Sequence, residues 1–384
     1  MYKVLVSGVT DENKKGGIES MVLNYYSRFD HNKVHFDFIC NTDGKIAYHK
    51  KWLKYGSKVY YVPQRGNAPF NYYRQSIQLF KKIASEYDCF WFNTSDLANI
   101  FYLKLAKRNK ISTRIVHSHN SRMIVQGKKG KLYSKFHDYH RKNISKYATN
   151  YWACSKVAAK WMYPSNIIPQ SKIIKNAIDV FHTSFNAKKR EDIREKYNLT
   201  HNFVIGNVGR LTFQKNQEFI IRLAPKIKKK IPNAKFVIVG QGEEKENLIN
   251  LIKKYKLEQE VLLVGQQNDM QGWYSTFDMF LFPSLFEGLS VSLLETQANG
   301  IPILSSANVS PKEVKVNDNF SYLTLTQSDE TWVNYIYNIY KNGKRLSFKD
   351  VKLNFKEHDY DIDFEAPKLE QLFTEIIKKN KENS

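Results

Sequence analysis

The chain has 384 residues, 42% of them hydrophobic and 14% aromatic, with 60 Lys and Arg against 37 Asp and Glu for a net charge of +23. That apolar content excludes a disordered chain, and the length suits two α/β domains of ordinary size, each with its own core. The apolar runs are strand-length and broken by charge, so no membrane span is expected, and residues 1–7 read as a first buried strand rather than an export signal.

Strand and helix signals alternate along the chain, which predicts parallel sheets with crossover helices. A first set of strands is expected at residues 3–7, 35–40, 58–62, 89–93, 114–119 and 151–154. Gly16 and Gly17 follow the first of these, ahead of a helical pattern. His117 and His119 lie on the fifth and are expected to project to opposite faces, which argues against joint metal binding. Residues 128–146 suit a basic amphipathic helix, with Leu132, Phe136, Tyr139, Ile144 and Tyr147 on one face and Lys131, Lys135, Lys142 and Lys146 on another. The rhythm breaks at residues 162–169 and 176–183, so a domain boundary is placed near 180 to 190, giving domains 1–183 and 184–357. A second set of strands follows at residues 203–208, 235–239, 261–264, 279–282 and 301–304. The tail after about residue 358 contains Pro367 and a helical pattern of Leu369, Leu372, Phe373, Ile376 and Ile377. Cys40, Cys89 and Cys154 are odd in number and widely spaced, as expected of reduced core residues of a cytosolic protein.

Two stretches of the second domain carry chemistry. Asn202-Phe-Val-Ile-Gly-Asn-Val-Gly209 is a strand running into glycine, followed by Arg210-Leu-Thr-Phe-Gln-Lys215 and a helical pattern that Lys215 is expected to open. Ligands of open α/β sheets bind beyond the carboxyl ends of the strands, where a guanidinium fork and a point-charge ammonium suit a departing diphosphate without metal. Phe282-Pro-Ser-Leu-Phe-Glu-Gly-Leu-Ser-Val-Ser-Leu-Leu-Glu-Thr296 places Glu287 in a loop and Glu295 inside a helix beginning near Ser290. Unpaired N–H groups around Gly288, Leu289 and Ser290 suit phosphate or sugar oxygens, and the two carboxylates suit hydroxyls on either side of a diphosphate. A strand–loop–helix with two solvated glutamates is the bland alternative.

Arg210 and Lys215 with four residues between them, followed by the Glu-x7-Glu element, resemble the retaining glycosyltransferases of family GT4. So do Lys15-Gly-Gly-Ile-Glu-Ser-Met-Val-Leu23 and Thr113-Arg-Ile-Val-His-Ser-His-Asn120, and the resemblance covers nearly the whole chain. Similarity is greatest to enzymes of bacterial exopolysaccharide and capsule synthesis. It implies the α/β GT-B fold, two Rossmann-like domains facing across a cleft, with residues 358–384 returning to the first domain. The implied reaction is metal-independent sugar transfer with retention from a nucleoside-diphosphate sugar, expected to be a UDP-sugar, to a lipid-linked saccharide acceptor. No cofactor is implied. In this pattern Arg210 and Lys215 stabilise the leaving diphosphate, Glu287 holds sugar hydroxyls, Glu295 holds the ribose, and His119 contacts the donor sugar. Gly16 and Gly17 let the first loop approach closely, and Gly288, Leu289 and Ser290 bind the donor. One departure is Asn176-Ala177-Ile178-Asp179, where the family has glycine second; Ala177 resists a positive φ.

The charge of +23 exceeds what a diphosphate needs. An anionic membrane surface is the partner expected for the basic helix, and the protein is placed in the cytoplasm, peripheral to the inner face of the cell membrane. The competing helix assignment is core packing with a solvated basic face. A nucleic-acid binder competes at the level of charge, but no recognition motif accompanies it, and no nucleic acid is expected as a partner. An epimerase or phosphorylase of the same fold is the enzymatic alternative. Asp361-Ile-Asp363 has the spacing of a metal-binding carboxylate pair but sits in the polar tail, where capping or solvation is expected. Gly240-Gln-Gly242 is a weak nucleotide fingerprint that suits close backbone approach.

Overall fold

The structure, a computed structural model, describes residues 1–12, 16–123, 125, 127–287, 289–307 and 314–382. The chain divides into two compact units, Met1–Ala177 with Ile362–Ser384, and Ile178–Asp361.

In the first unit, seven strands form one sheet: β1 (Tyr2–Ser7), β2 (Val34–Asn41), β3 (Val59–Val62), β4 (Cys89–Thr94), β5 (Thr113–Ser118), β6 (Asn150–Ala153) and β7 (Lys172–Ile173). Their order is β3-β2-β1-β4-β5-β6-β7, and every pairing is parallel. Helices cover both faces of such a sheet, which is why the central strands are continuous apolar runs, Val4-Leu5-Val6 and Phe90-Trp91-Phe92, instead of alternating ones. The C-terminal helix Ile362–Glu382 packs on this sheet through Ile362, Ala366, Leu369, Leu372, Phe373 and Ile377. Phe373 is its anchor, with ring centroids 5.2 Å from Trp91, 5.0 Å from Trp152 and 5.5 Å from Phe36. Cys40, Cys89 and Cys154 are free and buried.

In the second unit, β8 (Phe203–Val208), β9 (Ala234–Val239), β10 (Val261–Gly265), β11 (Met279–Phe282), β12 (Ile303–Ser306) and β13 (Phe320–Leu323) are again parallel, in the order β10-β9-β8-β11-β12-β13. The helix Gln217–Lys230 follows β8 and buries Phe219, Ile220, Leu223 and Ile227, while Phe219 meets Trp332 edge-on at 4.9 Å. Each sheet thus has one place where the winding direction reverses, between β1 and β4 and between β8 and β11, and the crevice for a ligand opens at the carboxyl ends there.

Two strands were not expected. β7 has only two residues, both exposed, and β13 is an edge strand whose Phe-Ser-Tyr-Leu run carries half-buried positions, so neither leaves a strong apolar signal. His119 lies just beyond β5 rather than within it. Ala177 avoids the left-handed region altogether, so its side chain imposes no strain on the linker turn. Of the tail carboxylates, Asp361 is not solvated: it is fully buried immediately before the C-terminal helix and paired with Lys352 Nζ at 2.7 Å. Asp363 stands in the first turn of the C-terminal helix, 3.2 Å from Arg28 Nε.

The basic helix, Gly127–Lys142, does not pack through its apolar stripe as the core-packed alternative expects. Its docked side is Gly130, His137 and His140, not the apolar residues. Leu132, Phe136 and Tyr139 are 52%, 48% and 63% exposed. Ile144 and Lys146 belong to a separate 3-10 turn, and the Lys146 carbonyl accepts a hydrogen bond from Lys107 Nζ. Two hydrogen bonds explain the docking: His137 Nδ1 accepts from the Leu97 N–H at 3.0 Å, and His140 Nδ1 donates to the Leu97 carbonyl at 2.7 Å.

Candidate active site

In the second unit the site is built where β8 and β11 end. Lys215 Nζ stands 2.7 Å from Glu287 Oε1, with side chains 16% and 7% exposed, and lies 4.9 Å above the Phe282 ring. The two loops that bring them together are tied by main chain and amides: Leu285 N–H donates to the Gln214 carbonyl, Gln214 Nε2 to the Phe286 carbonyl and Asn216 Nδ2 to the Pro283 carbonyl, at 2.8, 2.8 and 3.0 Å. Lys215 does not open the helix. It ends a 3-10 turn, Phe213–Lys215, and Asn216 in the left-handed region (φ 53°) turns the chain into the helix at Gln217. Asparagine tolerates that conformation better than other side chains do.

Arg210 is exposed, and its guanidinium makes no hydrogen bond or ion pair with another described residue. Its loop is nevertheless fixed. A Cβ at Gly240 would fall 1.9 Å from the Gly209 carbonyl oxygen and one at Gly242 2.1 Å from that of Leu211, so both glycines are needed for the main chains to lie this close. The Leu211 N–H donates to the Gln241 carbonyl across that contact at 2.9 Å.

Glu295 lies inside the helix Val291–Ala298, one residue after the expected start. Its Oε2 accepts a hydrogen bond from the buried Tyr274 hydroxyl at 2.8 Å. Burial pushes the carboxyl up to about 7, opposed by that hydrogen bond. Leu289 and Ser290 are buried at the helix start, where Ser290 Oγ meets Ser292 Oγ at 3.0 Å and caps no backbone N–H. Gly288 lies outside the described residues.

In the first unit, Gly16 precedes and Gly17 begins the helix Gly17–Tyr26; Lys15 lies outside the described residues. The glycine loop is held by a residue whose role the motif alone did not reveal. Glu19 Oε2 accepts from the Gly16 N–H at 2.9 Å, and Oε1 accepts from the Thr10 N–H at 2.9 Å and its hydroxyl at 2.7 Å. An acid three residues after Gly16 is the signal that marks such a cap, which is one-sided because glycine has no side chain to return a bond. His117 and His119 do not project oppositely: their ring centroids are 4.1 Å apart. Residues two apart in extended chain share a face, so the expectation misapplied the period of the pleat. His117 is buried between Trp91 and Trp152, and burial holds its imidazole far below the usual range. His119 reaches Asn93 Oδ1 through Nε2 at 2.8 Å, and burial lowers it to about 3.

Known proteins share part of this sequence and its fold. Residues 189–350 match the family model described as glycosyl transferases group 1. EpsF of Bacillus subtilis (strain 168), named as a glycosyltransferase, is 26% identical over 326 residues, 84% of each chain. The UDP-Gal:alpha-D-GlcNAc-diphosphoundecaprenol alpha-1,3-galactosyltransferase of Escherichia coli is 29% identical over 214 residues, 53% of this chain and 54% of its own. Among solved structures, Anabaena Alr3699/HepE in complex with UDP and glucose shares the fold at a TM-score of 0.76 and 16% identity, over 98% of this chain and 100% of that one. The segment similar to group 1 glycosyltransferases thus spans the strand ends that carry Lys215 and Glu287, and the GT-B fold is shared over nearly the whole chain.

Proposed function

We propose that the protein transfers a sugar from a nucleoside-diphosphate sugar, specifically a UDP-sugar, to a lipid-linked saccharide during exopolysaccharide or capsule synthesis, with retention and without a metal. The observation that carries this is the Lys215–Glu287 pair, 2.7 Å apart and largely buried at the topological switch point of the second sheet. A cation here meets the negative charge that builds on a leaving diphosphate, and interactions strengthened in the transition state are the ones that accelerate the reaction. Lys215 and the exposed guanidinium of Arg210 take the diphosphate, Glu287 a sugar hydroxyl, Glu295 the ribose, and His119 the donor sugar. Gly16 and Gly17 admit a phosphate or acceptor oxygen close to the main chain, and Leu289 and Ser290 line the donor at the helix start.

UDP is favoured by the UDP-bound fold neighbour, and a lipid-linked acceptor by the diphosphoundecaprenol named for the Escherichia coli relative. Among the described residues no helix is long and apolar enough to cross a membrane. Contact with an anionic inner leaflet is instead supported by the helix Gly127–Lys142. Its exposed stripe of Leu132, Phe136 and Tyr139 lies between Lys129 on one side and Lys128 and Lys135 on the other, by the helical repeat. The test is a panel of nucleotide sugars, scored for released nucleotide with and without a diphospho-polyprenol saccharide and with and without chelator. Acceptor-dependent release from one UDP-sugar, unchanged by chelator, is expected; release that needs Mg²⁺ or Mn²⁺, or epimerised free sugar in place of transfer, would overturn the assignment.

A further inference from the structure

The helix Gly127–Lys142 docks through two imidazoles, and the groups they meet fix where each proton sits. A backbone N–H only donates and a carbonyl only accepts. His137 Nδ1 therefore turns a lone pair to the Leu97 N–H at 3.0 Å, and its proton is on Nε2, 3.3 Å from the Trp161 carbonyl. His140 has the opposite form: its Nδ1–H donates to the Leu97 carbonyl at 2.7 Å, and the Nε2 lone pair faces Lys104 Nζ at 3.4 Å. Both rings are buried, and His137 stacks on Trp161 at 4.0 Å. The charged groups that act on His137 are Asp96 from the loop after β4, and Asp138 and Arg141 from its own helix; Lys104 of the helix Phe101–Arg108 acts on His140. Lys160, next to Trp161 on the helix Lys156–Met162, is exposed. Burial lowers both imidazoles from the usual 6.5, opposed by the Trp161 carbonyl at His137 and by the Leu97 carbonyl at His140. Each bond needs the neutral ring: a proton on His137 Nδ1 sets one donor against another, and a proton on His140 Nε2 sets a cation against the Lys104 ammonium.

We propose that His137 and His140 form a proton-sensitive latch, which holds the helix Gly127–Lys142 on the first unit while both rings are neutral and releases it when they take up protons. Besides these two, only Gly130 is buried on the helix, so no apolar side chain keeps it docked once the rings are charged. Arg141, donating to the Lys160 and Tyr163 carbonyls at 2.9 and 2.8 Å, then tethers its C-terminal end. Released rings take up a proton near pH 6.5 and docked ones only below it, so docking is strongest above that value and weakens as pH falls through it. The latch rests on contacts within the first unit. Its consequence for lipid rests on the membrane contact proposed above, because release frees the stripe of Leu132, Phe136 and Tyr139 to turn into a bilayer. An anionic leaflet draws protons to its surface, which favours release there.

The experiment is hydrogen exchange of the full-length protein, read by mass spectrometry at about pH 7.5 and about pH 5.5 with times scaled for the intrinsic rate. A helix of 16 residues is marginal in water by itself, so release is read as exchange of its amides. Peptides from residues 131–142 should exchange about tenfold faster at the lower pH, the change for one imidazole that protonates only on release, while β1 and β4 keep their protection. His137→Asn combined with His140→Asn keeps an acceptor and a donor for Leu97 and cannot titrate, so this variant should exchange equally at both pH values. Unchanged exchange of residues 131–142 in the wild type overturns the proposal whether or not the variant folds. Equal acceleration in β1 and β4, or the same acceleration in the folded double variant, overturns it as well. Sedimentation with phosphatidylglycerol vesicles tells the two parts apart: a gain in binding at the lower pH that the double variant lacks is expected, and a released helix without that gain removes the lipid role alone.

Discussion

Lys215 and Glu287 neutralise each other in a site that is mostly closed to water, so removing either leaves a charge without its partner. Lys215→Ala should lower turnover by about a hundredfold or more. It should also cost stability, because the buried carboxylate loses its ion-pair partner. Lys215→Met combined with Glu287→Gln removes both charges and should regain most of that stability while turnover stays lost. Denaturant unfolding and nucleotide release on the same samples check this, and a double variant that recovers activity would remove the pair from the chemistry. Glu295 supplies a pH test. Its folded value, about 7, is raised above the ordinary 4.5, so between those values the folded state keeps a proton that the unfolded chain has released. Its contribution to stability is therefore lost as pH rises through that window. With Glu295 on the ribose, as proposed, the charged carboxylate is the stronger acceptor, so UDP affinity should rise with pH through about 7 in the wild type and lose that added slope in Glu295→Gln. Titration of UDP itself is common to both proteins, and identical slopes by calorimetry would place Glu295 outside the nucleotide site. Lys215 and Glu287 were legible as charged residues at the ends of two apolar strand runs, where the fold brings them together. Asn93 and Tyr274 were not, because each acts through a neighbour brought close only by the fold.

At the scale of single elements, the C-terminal helix and the basic helix were legible to different degrees. Leu369, Leu372, Phe373 and Ile376 repeat at helical spacing, so the existence of the helix Ile362–Glu382 followed from pattern. What it covers follows from the aromatic pocket of Trp91, Trp152 and Phe36 around Phe373. Phe373→Ala should cost about 3–5 kcal/mol by thermal or denaturant unfolding; a loss below about 1 kcal/mol would mean that the helix is not part of the first unit's cooperative core. For the helix Gly127–Lys142, periodicity identified the apolar stripe but gave the wrong side to the core, because the docking is polar, through His137 and His140 on Leu97. Replacing Leu132, Phe136 and Tyr139 together by Ser should abolish sedimentation with anionic liposomes while leaving stability within about 0.5 kcal/mol, since none is buried. A large loss of stability with liposome binding intact would show that the stripe serves packing instead.

For the molecule as a whole, alternating strand and helix signals were enough to read two parallel sheets, since strands covered on both faces leave long apolar runs in the sequence. Strand order was not legible, because it depends on which strand each crossover helix returns to. It is that order that makes β1–β4 and β8–β11 the places where ligand crevices open. The charge of +23 acts at this scale too. Surface attraction of this kind is screened within about 8 Å at physiological ionic strength, so wild-type protein bound to anionic vesicles should be released as salt is raised. Binding that is insensitive to salt would leave the apolar stripe as its sole support. The central claim, that this chain moves a sugar from a nucleotide to a lipid-linked glycan, is tested most directly by incubating it with a UDP-sugar and a diphospho-polyprenol saccharide and following the anomeric proton of the product by NMR. The account predicts a lipid-linked product with the donor's anomeric configuration, formed by the wild type and lost in Lys215→Ala; an inverted product, or equal turnover in the Lys215→Ala protein, would contradict it.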